Sequence, residues 1–195
     1  MKKILLLICL IAVGVVAFKP AAEVYSVDVN KSKIEWIGKK LTGQHTGEIK
    51  LASGVLNYDG ETLTGGSFII NMNSITNKDL SKSSAANLLG QLKSEDFFSV
   101  DKYPTAKFVI TSVKNMNAEN ATITGDLTIK GITKPISFTT AIKKRGNIVV
   151  AIANGVKVDR AKYNVRYGSK SFFADIGDKA ISDEFELNIT LLARK

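Results

Sequence analysis

The sequence predicts an all-β protein, an antiparallel up-and-down barrel carrying one short helical insertion. Three observations lead there. From Ile123 to Lys130 apolar and polar residues alternate without a break, with Ile123, Gly125, Leu127 and Ile129 on one side and Thr124, Asp126, Thr128 and Lys130 on the other. That is the two-residue period of a strand with one dry face. Runs of the same kind recur along the chain, linked by hairpin signals at Asp59-Gly60, Lys130-Gly131 and Gly146-Asn147. Only between Ser74 and Tyr103 does the period become helical. Many antiparallel strands with little helix make a sandwich or a barrel, and the dominance of hairpin links favours the barrel.

Residues 1–17 read as a cleaved signal peptide ahead of a single domain at 18–195. Met1-Lys2-Lys3 is a basic start, Ile4 to Val16 an apolar run, and Val15 and Ala17 the small residues of a cleavage site. The run is shorter than the ~20 apolar residues of a spanning helix. Cys9 follows Ile8, where a lipoprotein signal needs a small residue. The expected location is the periplasm or the exterior. Cys9 is the only cysteine, so the mature chain has no disulfide, thiol nucleophile or cysteine metal ligand.

The first strands are read at Val24 to Val29 and at Ile34 to Leu41, where Trp36 is the only tryptophan. Leu41 to Gly47 (LTGQHTG) is polar and punctuated by glycine, and is expected as a loop or irregular edge. Glu48 to Tyr58 and Leu63 to Asn73 form the next pair, with Phe68, Ile70 and Met72 sharing a face and Gly65-Gly66 suggesting a bulge or close approach. Ala85, Leu88, Leu89 and Leu92 then mark one helix face, with Ser83 or Ser84 as N-cap. Their stripe must lie on something apolar, such as the open end of a barrel. Strands resume at Ala106 to Val113, with Phe108 and Ile110 together, and continue through the alternating run at 122–130. Pro135 opens the next, carrying Phe138 and Ile142 inward. Ile148 to Val158 is apolar on both faces and is expected to be covered on both, at least in part. Residues 161–180 are irregular, and Glu184 to Leu192 closes the chain with Phe185, Leu187, Ile189 and Leu191 facing in.

Catalytic chemistry is sparse. His45 is the only histidine, so no zinc site and no nucleophile–base pair can be assembled around a second one. The acidic residues of the last third fall at turns and strand starts, where solvated caps are the ordinary role. Asp159-Arg160 reads as an ion pair bracing the long loop. The net charge is +9, about +7 without Lys2 and Lys3. Its lysines are scattered over wet faces and turns, which argues against nucleic acid and is compatible with transient contact with an anionic membrane surface. What the chain has in quantity is apolar surface on the inward faces: Trp36, Phe68, Ile70, Met72, Phe108, Ile110, Phe138 and Ile142. In a small barrel these residues either fill the lumen or line a cavity for an apolar ligand.

Val27-Asp28 with Ser32 to Trp36, LKSEDFFSVDKYPTAKF at 92–108 and GDLTIKGITKPISF at 125–138 carry a resemblance. On these stretches the chain, from Tyr25 to Leu192, resembles the YceI-like family of exported bacterial lipid-binding proteins. The likeness places Arg160 near the family's arginine. It departs at Gln91, where many relatives have histidine, and at Ala161-Lys162-Tyr163, in place of the common Asp-Phe-Gly. The resemblance implies a lipocalin-like barrel without catalysis or cofactor, whose lumen holds a polyisoprenoid chain such as a quinone tail. The rim residues expected to orient the head are His45, Arg160 and Tyr163. A filled barrel serving as an interaction module is the alternative. A homodimer is left open.

Overall fold

Inward alternation recurs through the chain, and each run becomes a strand. The computed structural model describes residues 22–40, 42–117 and 119–195; the signal peptide expected at 1–17 lies outside them. Among the described residues there are nine strands: β1 (Glu23–Val27), β2 (Lys33–Lys40), β3 (Gly43–Asp59), β4 (Thr62–Asn71), β5 (Thr105–Asn115), β6 (Asn120–Ile129), β7 (Ile132–Arg145), β8 (Ile148–Asp159) and β9 (Ile181–Arg194). One α-helix, α1 (Lys82–Lys93), stands between β4 and β5.

Every pairing is antiparallel, and the sheet closes on itself into an eight-position barrel. β1 and β2 fill one position in turn. β1 pairs with the far part of β3 (Tyr25 opposite Leu56) and the end of β9 (Val27 opposite Ala193). β2 continues between the same two neighbours, Trp36 lying opposite Gly47 and Leu187. The excursion between them is sealed on β9: the Asp28 amide donates to the Leu192 carbonyl (2.8 Å), and the Leu192 amide donates to Ser32 Oγ (3.1 Å).

The wall is weakest between β7 and β8, where only Ala141–Arg145 of β7 pairs with β8. A bulge between Ala153 and Val156, with Gly155 at φ 63°, turns β8 away. The Thr140 hydroxyl donates to the Ile152 carbonyl (3.0 Å) beside the last rung. The first half of β7 is thus an edge on that side, which is why proline is tolerated inside it. The strand starts at Ile132, ahead of Pro135, directly after a turn in which Lys130 and Gly131 both take positive φ (49° and 73°).

Of three further sequence expectations, two are corrected. LTGQHTG is not a loop: β3 begins at Gly43 and pairs with β2 through His45 and Gly47. Ile148 to Val158 is well covered on its inner face and only in part on its outer one, where Val150 is half-buried while Ile148 and Ile152 are 44% and 41% exposed. The α1 N-cap is Ser81, and Ser83 and Ser84 lie inside the helix.

The two ends of the barrel differ. At the end holding the β3–β4 and β7–β8 hairpins, Tyr25 and Tyr58 meet edge to face (5.2 Å between ring centres). Lys144 Nζ lies 5.8 and 5.5 Å from the two rings and pairs with Glu61 (2.7 Å). This end is plugged. Among the described residues, the other end is covered by α1, the segment after it and the β8–β9 connection, and on α1 only Leu92 is buried.

Candidate functional site

Inside the barrel the inward side chains leave an apolar cavity of about 350 Å³. Its wall includes Trp36, Phe68, Ile70, Met72, Phe108, Ile110, Phe138 and Ile142. All but Met72 sit at strand positions facing in; Met72 comes from a single 3-10 turn, Met72–Ser74, that follows β4. Three rings run along one side. Phe68 stacks on Phe108 at 6.3 Å between centres, and Phe108 reaches Phe138 at 5.7 Å. β6 stands between β5 and β7, and Phe108 can cross it because Gly125 has no side chain. Trp36 hydrogen-bonds through its indole N–H to the Thr76 carbonyl (3.0 Å), so its polar atom is satisfied while the ring faces the cavity.

Polar groups gather at the loosely covered end. His45 lines the cavity there, with Lys40, Gln91 and Ser182. His45 Nδ1 lies 2.8 Å from Asp79 Oδ2 and ties the β2–β3 hairpin to the chain leaving β4. Burial pushes the Asp79 carboxyl up, but hydrogen bonds from His45, the Thr46 amide and Asn77 outweigh it and hold it below the usual carboxylate range.

Arg160 also borders the cavity, but it is a brace. Its guanidinium is 2% exposed and donates to the carbonyls of Ser182 (3.0 Å), Val165 (2.8 Å), Tyr167 (2.8 Å) and Ile181 (3.1 Å). Asp183 lies 3.5 Å away, and the Phe97 ring is stacked beneath it at 5.2 Å. Four of its five N–H groups are donated to carbonyls and its charge is paired with Asp183, so Arg160 is committed to the scaffold. Burial tends to raise the Asp183 carboxyl, yet hydrogen bonds from Ser169 and Ser171 and the Arg160 charge hold it low.

Tyr163 does not reach the lumen. It is buried outside the β7–β8 seam, bordering a shallow polar depression with Lys134, Asp159 and Lys162. Its hydroxyl has no hydrogen-bond partner among the described residues, and burial pushes its pKa up to about 12. Of the three expected rim residues, the structure therefore puts His45 on the open rim, uses Arg160 as scaffold and sets Tyr163 aside.

A family model described as the YceI-like domain matches residues 25–193. The chain belongs to the YceI-like family. Among curated relatives, a Pseudomonas putida UPF0312 protein is 49% identical over 55 residues, 28% of this chain and 29% of that protein. A Photorhabdus laumondii UPF0312 protein is 35% identical over 101 residues, 51% of this chain and 50% of that one. The matched segments thus span half or less of these relatives' lengths. Among solved structures, BcnA of Burkholderia cenocepacia superposes with a TM-score of 0.69 at 22% identity, covering 85% of this chain and 98% of BcnA. A polyisoprenoid binding domain from Saccharophagus degradans gives 0.65 at 16% identity, over 87% of this chain and 97% of that one. These similarities share the fold.

Within the YceI-like barrel the two long signature stretches meet at the loosely covered end. Tyr103 lies against Gly131, where a Cβ would stand 3.1 Å from the ring. Lys130 Nζ donates to the Glu95 carbonyl (3.2 Å) and approaches that of Asn164 (3.4 Å), joining the segment after α1 to the β8–β9 connection. Phe97 and Phe98 of the first stretch line the cavity from above, Phe98 edge-on to Phe185 at 6.4 Å. The sequence marks Gln91 through its departure from the relatives' histidine, but gives Phe97 and Phe98 no role as cover residues; the one signal for those two is their place just after the helix end.

Proposed function

We propose that this YceI-like protein is a non-catalytic carrier that holds a long-chain isoprenoid, or another long lipid tail, in its barrel. The observation that carries this reading is the cavity of about 350 Å³ with its wall of aliphatic and aromatic side chains, which falls within the ~300–1,000 Å³ of small-molecule sites. Partition supplies the affinity. Burying roughly ten methylene groups contributes about 8 kcal/mol, against association costs of about 4–15 kcal/mol. Each further buried methylene adds to retention, so a long chain is held more tightly than a short one. The head group would lie among Lys40, His45, Gln91 and Ser182, where the polar lining is concentrated. The Saccharophagus degradans relative is described as a polyisoprenoid binding domain, which supports the same ligand class. The basic start, apolar run and small cleavage residues of 1–17 support export to the periplasm or beyond.

Native mass spectrometry of protein purified from its own host tests the reading, with solvent extraction to identify the adduct. A stoichiometric mass matching an isoprenoid or other long-chain lipid is expected. Ligand-free protein under conditions that retain lipids on a control carrier would favour a barrel without cargo. Amino-terminal sequencing of the same sample should begin at Phe18; Met1 or a lipid-modified Cys9 would contradict the export route.

A further inference from the structure

The β8–β9 connection carries a feature that the lumen does not use. Tyr167, Phe172 and Phe173 are 45%, 39% and 51% exposed, among the most exposed large apolar side chains of the described residues. They do not lie on a loose strand end. The Phe172 and Phe173 amides donate to the carbonyl of the fully buried Ser169 (3.2 and 3.0 Å), and Ser171 Oγ donates to Asp183 (2.6 Å). Arg160 holds the Val165, Tyr167, Ile181 and Ser182 carbonyls from beneath, so both ends of the connection are fixed to one guanidinium. A rigid platform thus presents two adjacent phenylalanines to solvent, a costly arrangement unless something apolar receives them.

The segment that carries them is basic along its length, with Asp183 bonded to Ser171 beside it and Asp175 closing it. From Arg160 to Ala174 the chain has no acidic residue and carries Lys162, Arg166 and Lys170 besides the buried Arg160; acids return only at Asp175. Arg166 lies over the Phe172 ring at 4.9 Å, keeping a cation at the base of the apolar tip. Aromatic side chains ringed by lysine and arginine suit the boundary of an anionic bilayer, where rings enter the acyl region and cations meet phosphate. The platform also adjoins the cavity: its first residue Arg160 and the residues that end it, Ile181 and Ser182, are part of the lumen wall.

We propose that the tip Tyr167, Phe172 and Phe173, with Arg166 and Lys170, docks the barrel's loosely covered end on an anionic membrane surface. This deepens the carrier reading by naming where the tail passes between bilayer and lumen. The docking itself can be measured without any cargo. Co-sedimentation with vesicles of phosphatidylcholine alone and with 30% phosphatidylglycerol provides the test. The wild-type protein is expected to bind the anionic vesicles at least ten-fold more strongly than the neutral ones. Phe172→Ser with Phe173→Ser should lose ten-fold or more of that binding, and Arg166→Glu with Lys170→Glu a similar amount, with unchanged melting temperatures because these side chains are exposed. Should the double serine variant unfold, Phe173→Trp with brominated lipids decides instead, quenching beyond that of Trp36 being expected. Wild-type protein that ignores anionic vesicles, phenylalanine variants that bind like wild type, or a Phe173→Trp variant quenched no more than wild type would overturn the proposal. Lipid in the native mass spectrum without vesicle binding would overturn docking alone. Vesicle binding by a barrel that never holds lipid would overturn the carrier reading alone.

Discussion

Phe108 on β5 lays its ring across Gly125 on β6. A Cβ at Gly125 would stand 2.4 Å from Phe108 Cζ and 2.5 Å from the Val109 carbonyl oxygen. The missing side chain is what lets Phe108 touch Phe138 two strands away and makes one wall of the cavity a continuous aromatic surface. Gly125→Ala is therefore expected to destabilise the barrel by about 1–3 kcal/mol, because the backbone oxygen cannot yield as a side chain can. Chemical denaturation checks this; an unchanged midpoint would mean that the strands part freely here.

The same logic separates Arg160 from the ligand. Arg160→Met should cost about 3–5 kcal/mol, since four carbonyls and Asp183 lose a buried partner. Arg160→Lys should recover little, because an ammonium cannot reproduce the fork. Lipid bound per folded molecule should stay the same in both. Lipid lost without loss of stability would return Arg160 to the rim.

Alkaline pH tests the plugged end. Burial pushes the Tyr58 hydroxyl up to about 12, and that hydroxyl has no hydrogen-bond partner among the described residues. Unfolded tyrosines ionise near 10. Above that pH the unfolded state sheds a proton that the native state keeps, so stability falls between about 10 and 12. The loss for Tyr58 is about 2–3 kcal/mol. Tyr58→Phe should be close to neutral at pH 7 and should flatten part of the alkaline decline; the rest belongs to Tyr163. A decline as steep as that of wild type would show the ring ionising freely in the native state.

α1 is a cover and not a core helix. Leu88 is half-buried against the cavity while most of the helix faces water. Leu88→Asp should release bound lipid several-fold faster, since a carboxylate cannot remain over an apolar mouth without partners. The melting temperature without ligand should fall by only a few degrees. Unaltered release would place the exit elsewhere, the β7–β8 seam being the next weakest part of the wall.

How much of this was legible beforehand follows from the physics of each element. Strands with one dry face, such as Asn120–Ile129 and Ile181–Arg194, announce themselves by period. The start of β3 did not, because Gly43 to Gly47 lie at the polar rim and carry no apolar alternation to read. The lumen residues followed from strand parity once barrel closure was assumed. The roles of Arg160 and Tyr163 did not, because they depend on how the β8–β9 connection folds back. Neither could periodicity show that the inward faces leave a cavity; that depends on the space left between rings such as Phe68 and Phe108.

Whether that space holds a tail is best tested by filling it. Ile70 lies on the cavity wall and is only partly buried. Native mass spectrometry and the ligand-free melting temperature of Ile70→Trp should be measured beside wild type. The carrier account predicts that bound lipid falls sharply while the melting temperature holds, because the indole occupies space meant for the tail. A packed interior would instead lose about 1–3 kcal/mol from overpacking, and stability lost with lipid content unchanged would contradict the account.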